Sequence, residues 1–426
     1  MTNLSKSFFA SSAFSLLDWT VMLSCALMFT GFLCSRVFLS VGMIMLICAG
    51  FRPHALKEGW RLFRENTFGW LALVFFCFYL ISGFWSLDRE QWLAAAQIKL
   101  PFALMPFALM NLPFDKKRLQ VWLISIILVI LFAGIAYSSS FLVMQPQRFF
   151  SKYHLPSPVG RDYIRFTIAL VLAMQMILFV LSKKNQFNIA KPGRILMISW
   201  MIIAALYIHV QAAKSGLLCF YLLVAVNVGY RFVRNRQFGL WKALGILLVG
   251  VLLLFFSVRF LPSVNNQISR VKNGLAIWQS GDTAKYETNS SIIPRLVSYE
   301  AAWKSIQKHP LGGIGAGDWE AAVQHQYELY FPFMKKYRLI PHNQFICTAF
   351  LVGIPAAVVL ILMVLWPLRR IPDVAVLSTV CIMIAGTMIE AMLEIQYGVF
   401  VYLFFILFWL SALRKEPGKT KATGAI

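Results

Sequence analysis

Twelve apolar runs recur along this chain, with a cluster of Lys and Arg at every second break. Lipid supplies no hydrogen-bonding partner for exposed backbone, so chains built this way cross membranes as bundled helices. The runs fall at about 18–34, 37–51, 67–87, 100–112, 119–138, 163–182, 195–213, 216–230, 243–258, 343–367, 374–393 and 397–413. Several are shorter than the ~20 residues of a straight crossing. The fourth is the weakest, because Pro101, Pro106 and Pro113 interrupt it. Composition points the same way: 59% of the 426 residues are apolar and 13% are charged. A soluble protein carries about 25% charged residues. Soluble enzyme, disordered scaffold and disulfide-rich secreted domain are excluded. The expected fold class is an all-α polytopic membrane protein with about twelve transmembrane helices.

Net charge is +23, from 40 Lys and Arg against 17 Asp and Glu. Most of the excess sits in short connections: Arg52, Lys57, Arg61 and Arg64; Lys116, Lys117 and Arg118; Lys183, Lys184, Lys191 and Arg194; Arg231, Arg234, Arg236 and Lys242; Arg369 and Arg370; and the tail from Arg414 to Lys421. These alternate with connections poorer in basic residues. The positive-inside rule therefore puts them, and both termini, in the cytoplasm, where they meet anionic headgroups, so the charge calls for membrane lipid and not nucleic acid. The first residues, MTNLSKSFFASSAF, carry one Lys and no small-residue cleavage site. They read as a retained cytoplasmic tail. The seven cysteines lie in or beside apolar runs without CxxC spacing, so neither a disulfide framework nor a zinc site is indicated.

Three regions follow: 1–258 with helices one to nine, a long outer connection at 259–342, and 343–426 with helices ten to twelve and a tail. The long connection holds ten Lys and Arg against six Asp and Glu. Long loops escape the positive-inside rule, so this excess needs another cause. Residues 295–310, RLVSYEAAWKSIQKHP, read as a helix with Leu296, Tyr299, Ala302, Trp303 and Ile306 on one face, ended by Pro310. A glycine-rich turn, LGGIGAGDW at 311–319, precedes a second helix over 320–330, with Asp318 placed to cap it. The turn could offer backbone N–H groups to a phosphate, or its glycines could let the connection pack closely. The connection ends in KKYRLIPHNQF, which enters the tenth run.

These residues carry a resemblance. Arg295 begins a helix that ends in His309-Pro310-Leu311-Gly312; His342-Asn343 is followed by Gly353-Ile354-Pro355-Ala356; and Lys214-Ser215-Gly216 forms an outer hairpin. The chain resembles the O-antigen ligase family, within the O-antigen ligase/polymerase superfamily of bacterial envelope glycan enzymes. The family usually places Arg where this chain has Lys214, which keeps the charge and loses the bidentate fork. The resemblance implies an inner-membrane glycosyltransferase of the lipid-linked-donor type, without metal or other cofactor. The donor would be a glycan on undecaprenyl pyrophosphate and the acceptor a sugar hydroxyl of lipid A–core. The long connection would be a periplasmic subdomain of short helices carrying the active site.

The residues suit such a transfer. A hydroxyl must lose a proton as it attacks, and the pyrophosphate leaving group needs fixed cations. Histidine exchanges a proton near neutral pH, so His342 is the candidate base; it would otherwise cap the tenth run. Asn343 would orient the ring or the acceptor. Arg295 is the first candidate for pyrophosphate, since Arg binds phosphate bidentately and stays charged. Its alternative partner is Glu300. Lys214 is a further candidate, with snorkelling to headgroups as the rival reading. Arg161 and Arg165, in GRDYIRF, are candidates for the same anion or for interfacial anchoring; Asp162 is a nearby counter-ion. Glu390 and Glu394, four apart, read as an acidic pair on one helix face, either facing the arginines or forming a structural ion pair.

Within the same chemistry, an O-antigen polymerase or a protein O-oligosaccharyltransferase remains an alternative, differing in acceptor. A transporter for a lipid-linked anion is a more distant one. It would spread charge through mid-membrane helices, often with an internal repeat, and no repeat is visible.

Overall fold

The computed structural model describes residues 14–147, 155–159, 162–234, 239–281, 292–334, 339–369 and 373–414, without the side chains of Lys184 and Asn185. Arg161, the N-terminal tail before Phe14 and the basic stretch 335–338 lie outside the described residues. No described residue forms a strand. The chain is an all-helical polytopic membrane protein.

The first half comprises α1 (Leu16–Cys34), α2 (Arg36–Gly50), α3 (Leu56–Arg64), α4 (Thr67–Ile81), α5 (Arg89–Met110), α6 (Lys117–Met144) and α7 (Tyr163–Ser182). There follow α8 (Lys191–Gln211), α9 (Lys214–Arg234) and α10 (Leu240–Phe260). The long connection carries α11 (Pro262–Ser280), α12 (Ile293–Lys308) and α13 (Trp319–Tyr330). The chain closes with α14 (Gln344–Val352), α15 (Ile354–Leu365), α16 (Val374–Ile389) and α17 (Gln396–Ala412).

All twelve apolar runs are helical, and eight described helices are long and apolar enough to cross a membrane; α2 joined to the segment 53–64 across a 60° bend would make nine. The remaining apolar helices, α15, α16 and α17, are shorter. Two expectations are corrected. The fourth run begins at Arg89 and passes through both Pro101 and Pro106 as one helix. Lys99 interrupts the apolar pattern in the sequence, yet its ammonium is fully buried against Glu394, 2.8 Å away. The tenth run is two helices, broken at Gly353.

Burial sorts the helices. α7 and α17 are apolar all round and buried on nearly every face, as helices at the centre of a bundle must be. Phe400, Phe404, Phe408 and Trp409 of α17 meet Phe29, Phe114 and Phe179 mostly edge to face. α10 is the opposite case: only Ala243 and Ser257 are buried, and its leucines and phenylalanines face outward, as lipid-facing side chains do.

The connections gather at two ends. At one end Asp18 pairs with Lys116 at 3.0 Å, Lys183 with Asp373 at 2.9 Å, and Arg414 bonds the Met110 carbonyl at 2.9 Å. At the other end lie Asp162, Lys214, the long connection and residues 390–395.

Candidate functional site

α12 and α14 build the site. The buried face of α12 is Ile293, Val297, Ser298, Ala301, Ala302, Ser305 and Ile306. The expected face is therefore rotated, and Trp303 is exposed. Pro294 opens the helix with its φ already set and no N–H to leave unsatisfied, which puts Arg295 in the first turn. Asn343 caps α14: its Oδ1 accepts from the N–H groups of Phe345 and Ile346 at 2.9 and 3.1 Å. Its Nδ2 donates to the Met388 carbonyl at 3.1 Å. Both ends of the Asn343 amide thus serve the scaffold, and they set where His342 enters the site.

His342 and Arg295 share one carboxylate. Glu390 Oε2 lies 2.9 Å from His342 Nδ1, and Glu390 Oε1 lies 2.5 Å from Arg295 Nη2. Glu390 is buried, while the histidine and arginine side chains are 28% and 27% exposed. The acid is fixed and its two partners reach solvent. With Nδ1 directed at the carboxylate, Nε2 is the ring nitrogen left for a proton from outside. Tyr299 donates to the His342 carbonyl at 3.0 Å, and burial raises its phenol pKa, which keeps it a donor.

Beside Arg295 is a cavity of about 220 Å³, lined by Tyr163, Ile164, Lys214, Ser215, Gln267, Arg270, Arg295 and Ile389. Three cations from three elements converge on it, and no carboxylate lines it. Arg270 was not anticipated. It stands three residues after Gln267 on α11, so both share a helix face, but nothing in the local sequence ties that face to Lys214.

The other expected residues are placed as follows. Arg165 does not line the cavity: its guanidinium bonds Asp162 at 2.9 Å, the Ala391 carbonyl at 2.9 Å and the Met392 carbonyl at 3.3 Å. Burial pushes the Asp162 carboxyl above its usual range, and the Arg165 charge opposes that shift. Glu300 pairs with Lys304, leaving Arg295 to Glu390. Glu390 and Glu394 do not share a helix face, because α16 stops before Glu390. Glu394 serves a separate buried network of Lys99, Tyr79 and Gln344 at 2.6–2.9 Å.

The glycine-rich turn is committed to packing. Ile314 and Gly315 donate to the last carbonyls of α14, Phe350 and Leu351, at 3.0 Å each. Ala316 and Gly317 reach Ser82 and Ser86. Asp318 stands at the cap position of α13, but its side chain makes no cap bond; the carboxylate instead accepts from the N–H groups of Leu87 and Asp88 at 2.8–3.0 Å. Of the aromatics in this region, Tyr327 and Phe331 are buried, while Trp303 and Tyr330 are exposed. A larger cavity, about 640 Å³, opens beside Trp85, His309 and Leu311 at the far end of α12, roughly 20 Å along the helix from Arg295.

The class defined by fold and site is a multi-pass membrane protein with a cavity lined by three cationic side chains at one end of its bundle and a histidine–carboxylate pair beside Arg295. Residues 197–361 match the family model described as O-antigen ligase, which supports membership of the O-antigen ligase superfamily. The matched segment contains Lys214, Arg270, Arg295, His342, Asn343 and Gly353; Lys99, Arg165, Glu390 and Glu394 lie outside it. No curated protein matches the chain.

Proposed function

We propose that this protein is an O-antigen ligase, which moves a glycan from undecaprenyl pyrophosphate to a sugar hydroxyl of lipid A–core at the periplasmic face of the bacterial inner membrane. What supports this reading is the carboxylate of Glu390, which joins a proton acceptor, His342, to a three-cation cavity through Arg295.

The donor pyrophosphate occupies the cavity, held by Lys214, Arg270 and Arg295. The acceptor hydroxyl approaches His342 Nε2. A bond forms from the hydroxyl oxygen to the anomeric carbon as the bond from that carbon to the phosphate oxygen breaks. The electron pair leaves with the pyrophosphate, and the proton passes to Nε2. The three cations take up the charge that develops on the leaving group, an effect worth several kcal/mol when donors are fixed in advance. Glu390 holds the imidazole with Nε2 outward and stabilises the imidazolium that forms. No step requires a metal.

The test is His342→Ala, checked for membrane insertion and scored in cells for glycan-capped lipopolysaccharide. The ligase reading expects long-chain lipopolysaccharide to vanish while lipid-linked polymer accumulates. Persisting caps sink it, and single-repeat caps in a gene knockout would indicate a polymerase.

A further inference from the structure

Between α16 and α17 the chain abandons helix for the stretch Glu390–Ile395. Glu390 is extended, Met392–Glu394 make one 3₁₀ turn, and Ile395 is extended again. Its first four residues are buried: Glu390 is 5% exposed, Ala391 6%, and Met392 and Leu393 0%. Irregular backbone inside a helix bundle leaves main-chain groups that something else must satisfy.

Here the partners are charged or amide side chains from three other helices. Arg165 of α7 donates to the Ala391 and Met392 carbonyls. Lys99 of α5 donates to the Leu393 carbonyl at 2.6 Å and to the Glu394 carboxylate at 2.8 Å. Gln344 of α14 accepts from the Leu393 N–H at 2.6 Å and donates to Glu394 at 2.6 Å. Gly398 leaves the room Arg165 uses, since a Cβ there would lie 1.6 Å from the Met392 oxygen and 2.9 Å from Arg165 Nε. The two cations grip successive carbonyls from behind, and the first residue of the gripped stretch is Glu390. Neither cation lines the cavity, and Lys99 has no exposed surface at all.

Resting on the transfer reading above, we infer that Arg165 and Lys99 are positioning residues: through the main chain of residues 391–393 they fix Glu390, and Glu390 fixes His342 and Arg295. Arginine is required at position 165, because its rigid fork spans two carbonyls and Asp162 together, which an ammonium cannot do.

A double-mutant cycle tests this in purified full-length protein in nanodiscs, with an undecaprenyl pyrophosphate-linked oligosaccharide as donor and lipid A–core as acceptor. Arg165→Lys should lower kcat about tenfold to a hundredfold, the scale of a sub-ångström to ångström misplacement, with a smaller change in the donor KM, since Arg295 is one of three cations on the donor. Glu390→Gln should lower kcat as well. The double variant should match Glu390→Gln alone, since Arg165 acts only through that carboxylate. Lys99→Met, made together with Glu394→Gln so that no lone charge is buried, should behave as Arg165→Lys does. If Arg165→Lys does not accumulate in membranes, Asp162→Asn loosens the same guanidinium and goes through the same cycle. A double variant that loses the product of the two single factors overturns the positioning role and leaves the transfer reading standing. A fully active Glu390→Gln overturns the role too. Wild-type protein that forms no product removes the transfer reading, and the positioning role with it.

Discussion

Lys214, Arg270 and Arg295 line the same cavity, but they differ in what their loss would leave behind. Removing Arg270 subtracts one charge-assisted contact to an anion, worth about 1.5–3 kcal/mol, or roughly tenfold to a hundredfold in affinity. Arg270→Ala should therefore weaken inhibition of transfer by inorganic pyrophosphate by that factor, while kcat at saturating donor falls much less. Arg295→Ala also deprives Glu390 of a partner, so it should lower kcat along with affinity while the protein still inserts in the membrane. Equal effects of the two variants on both parameters would show that the cavity does not divide the work this way. Lys214→Arg should keep much of the activity and Lys214→Ala should lose it; the reverse order would remove Lys214 from the anion site. Much of this was legible in residue type and spacing, since Arg295, Lys214 and His342 stand beside recognisable signatures. Arg270 was not, because only the packing of α11 against its neighbours brings it to Lys214. Glu390 does face an arginine, as one reading of its charge expects, but it does not share a helix face with Glu394: no Gly or Pro falls between Thr387 and Gln396 to announce that the helix ends.

The two signatures of the long connection are two halves of one joint. α14 ends at Val352 with unsatisfied carbonyls, and the glycine-rich turn supplies N–H groups to Phe350 and Leu351. In return the Ile354 N–H donates to the Pro310 carbonyl at 2.8 Å. Gly353 makes the joint possible. Its φ is +94°, and a Cβ there would sit 1.9 Å from the Leu311 carbonyl oxygen. Gly353→Ala should thus cost on the order of 2 kcal/mol from backbone strain alone, with the clash added. Gly245, within α10, has nothing within 4 Å of a Cβ position. Gly245→Ala should be neutral or slightly stabilising, by up to about 1 kcal/mol. Thermal unfolding of both variants in one detergent checks this, and equal midpoints would show that the joint carries no strain. The elements themselves were readable, since every apolar run forms helix. The break within the tenth run was not, because Gly353-Ile354-Pro355 sits inside an apolar stretch that reads as one continuous span.

At the scale of the molecule, charge and chemistry separate along the bundle axis. The basic connections hold the end marked by the Asp18–Lys116 and Lys183–Asp373 pairs, and the cavity, His342 and Glu390 hold the other. Short basic connections stay in the cytoplasm by the positive-inside rule, so the proposed reading expects this polarity to turn the site toward the periplasm. The orientation is open to test by labelling. With Cys34 and Cys48, both exposed, replaced by serine, Lys308→Cys at the end of α12 and Arg64→Cys at the end of α3 place exposed thiols at opposite ends of the bundle. A membrane-impermeant maleimide added to cells with a permeabilised outer membrane should label position 308 and leave position 64 untouched until the inner membrane is lysed. The reverse pattern would turn the molecule over. The three cations would then face the cytoplasm, and no activity variant could rescue the reading of transfer at the periplasmic face from that outcome.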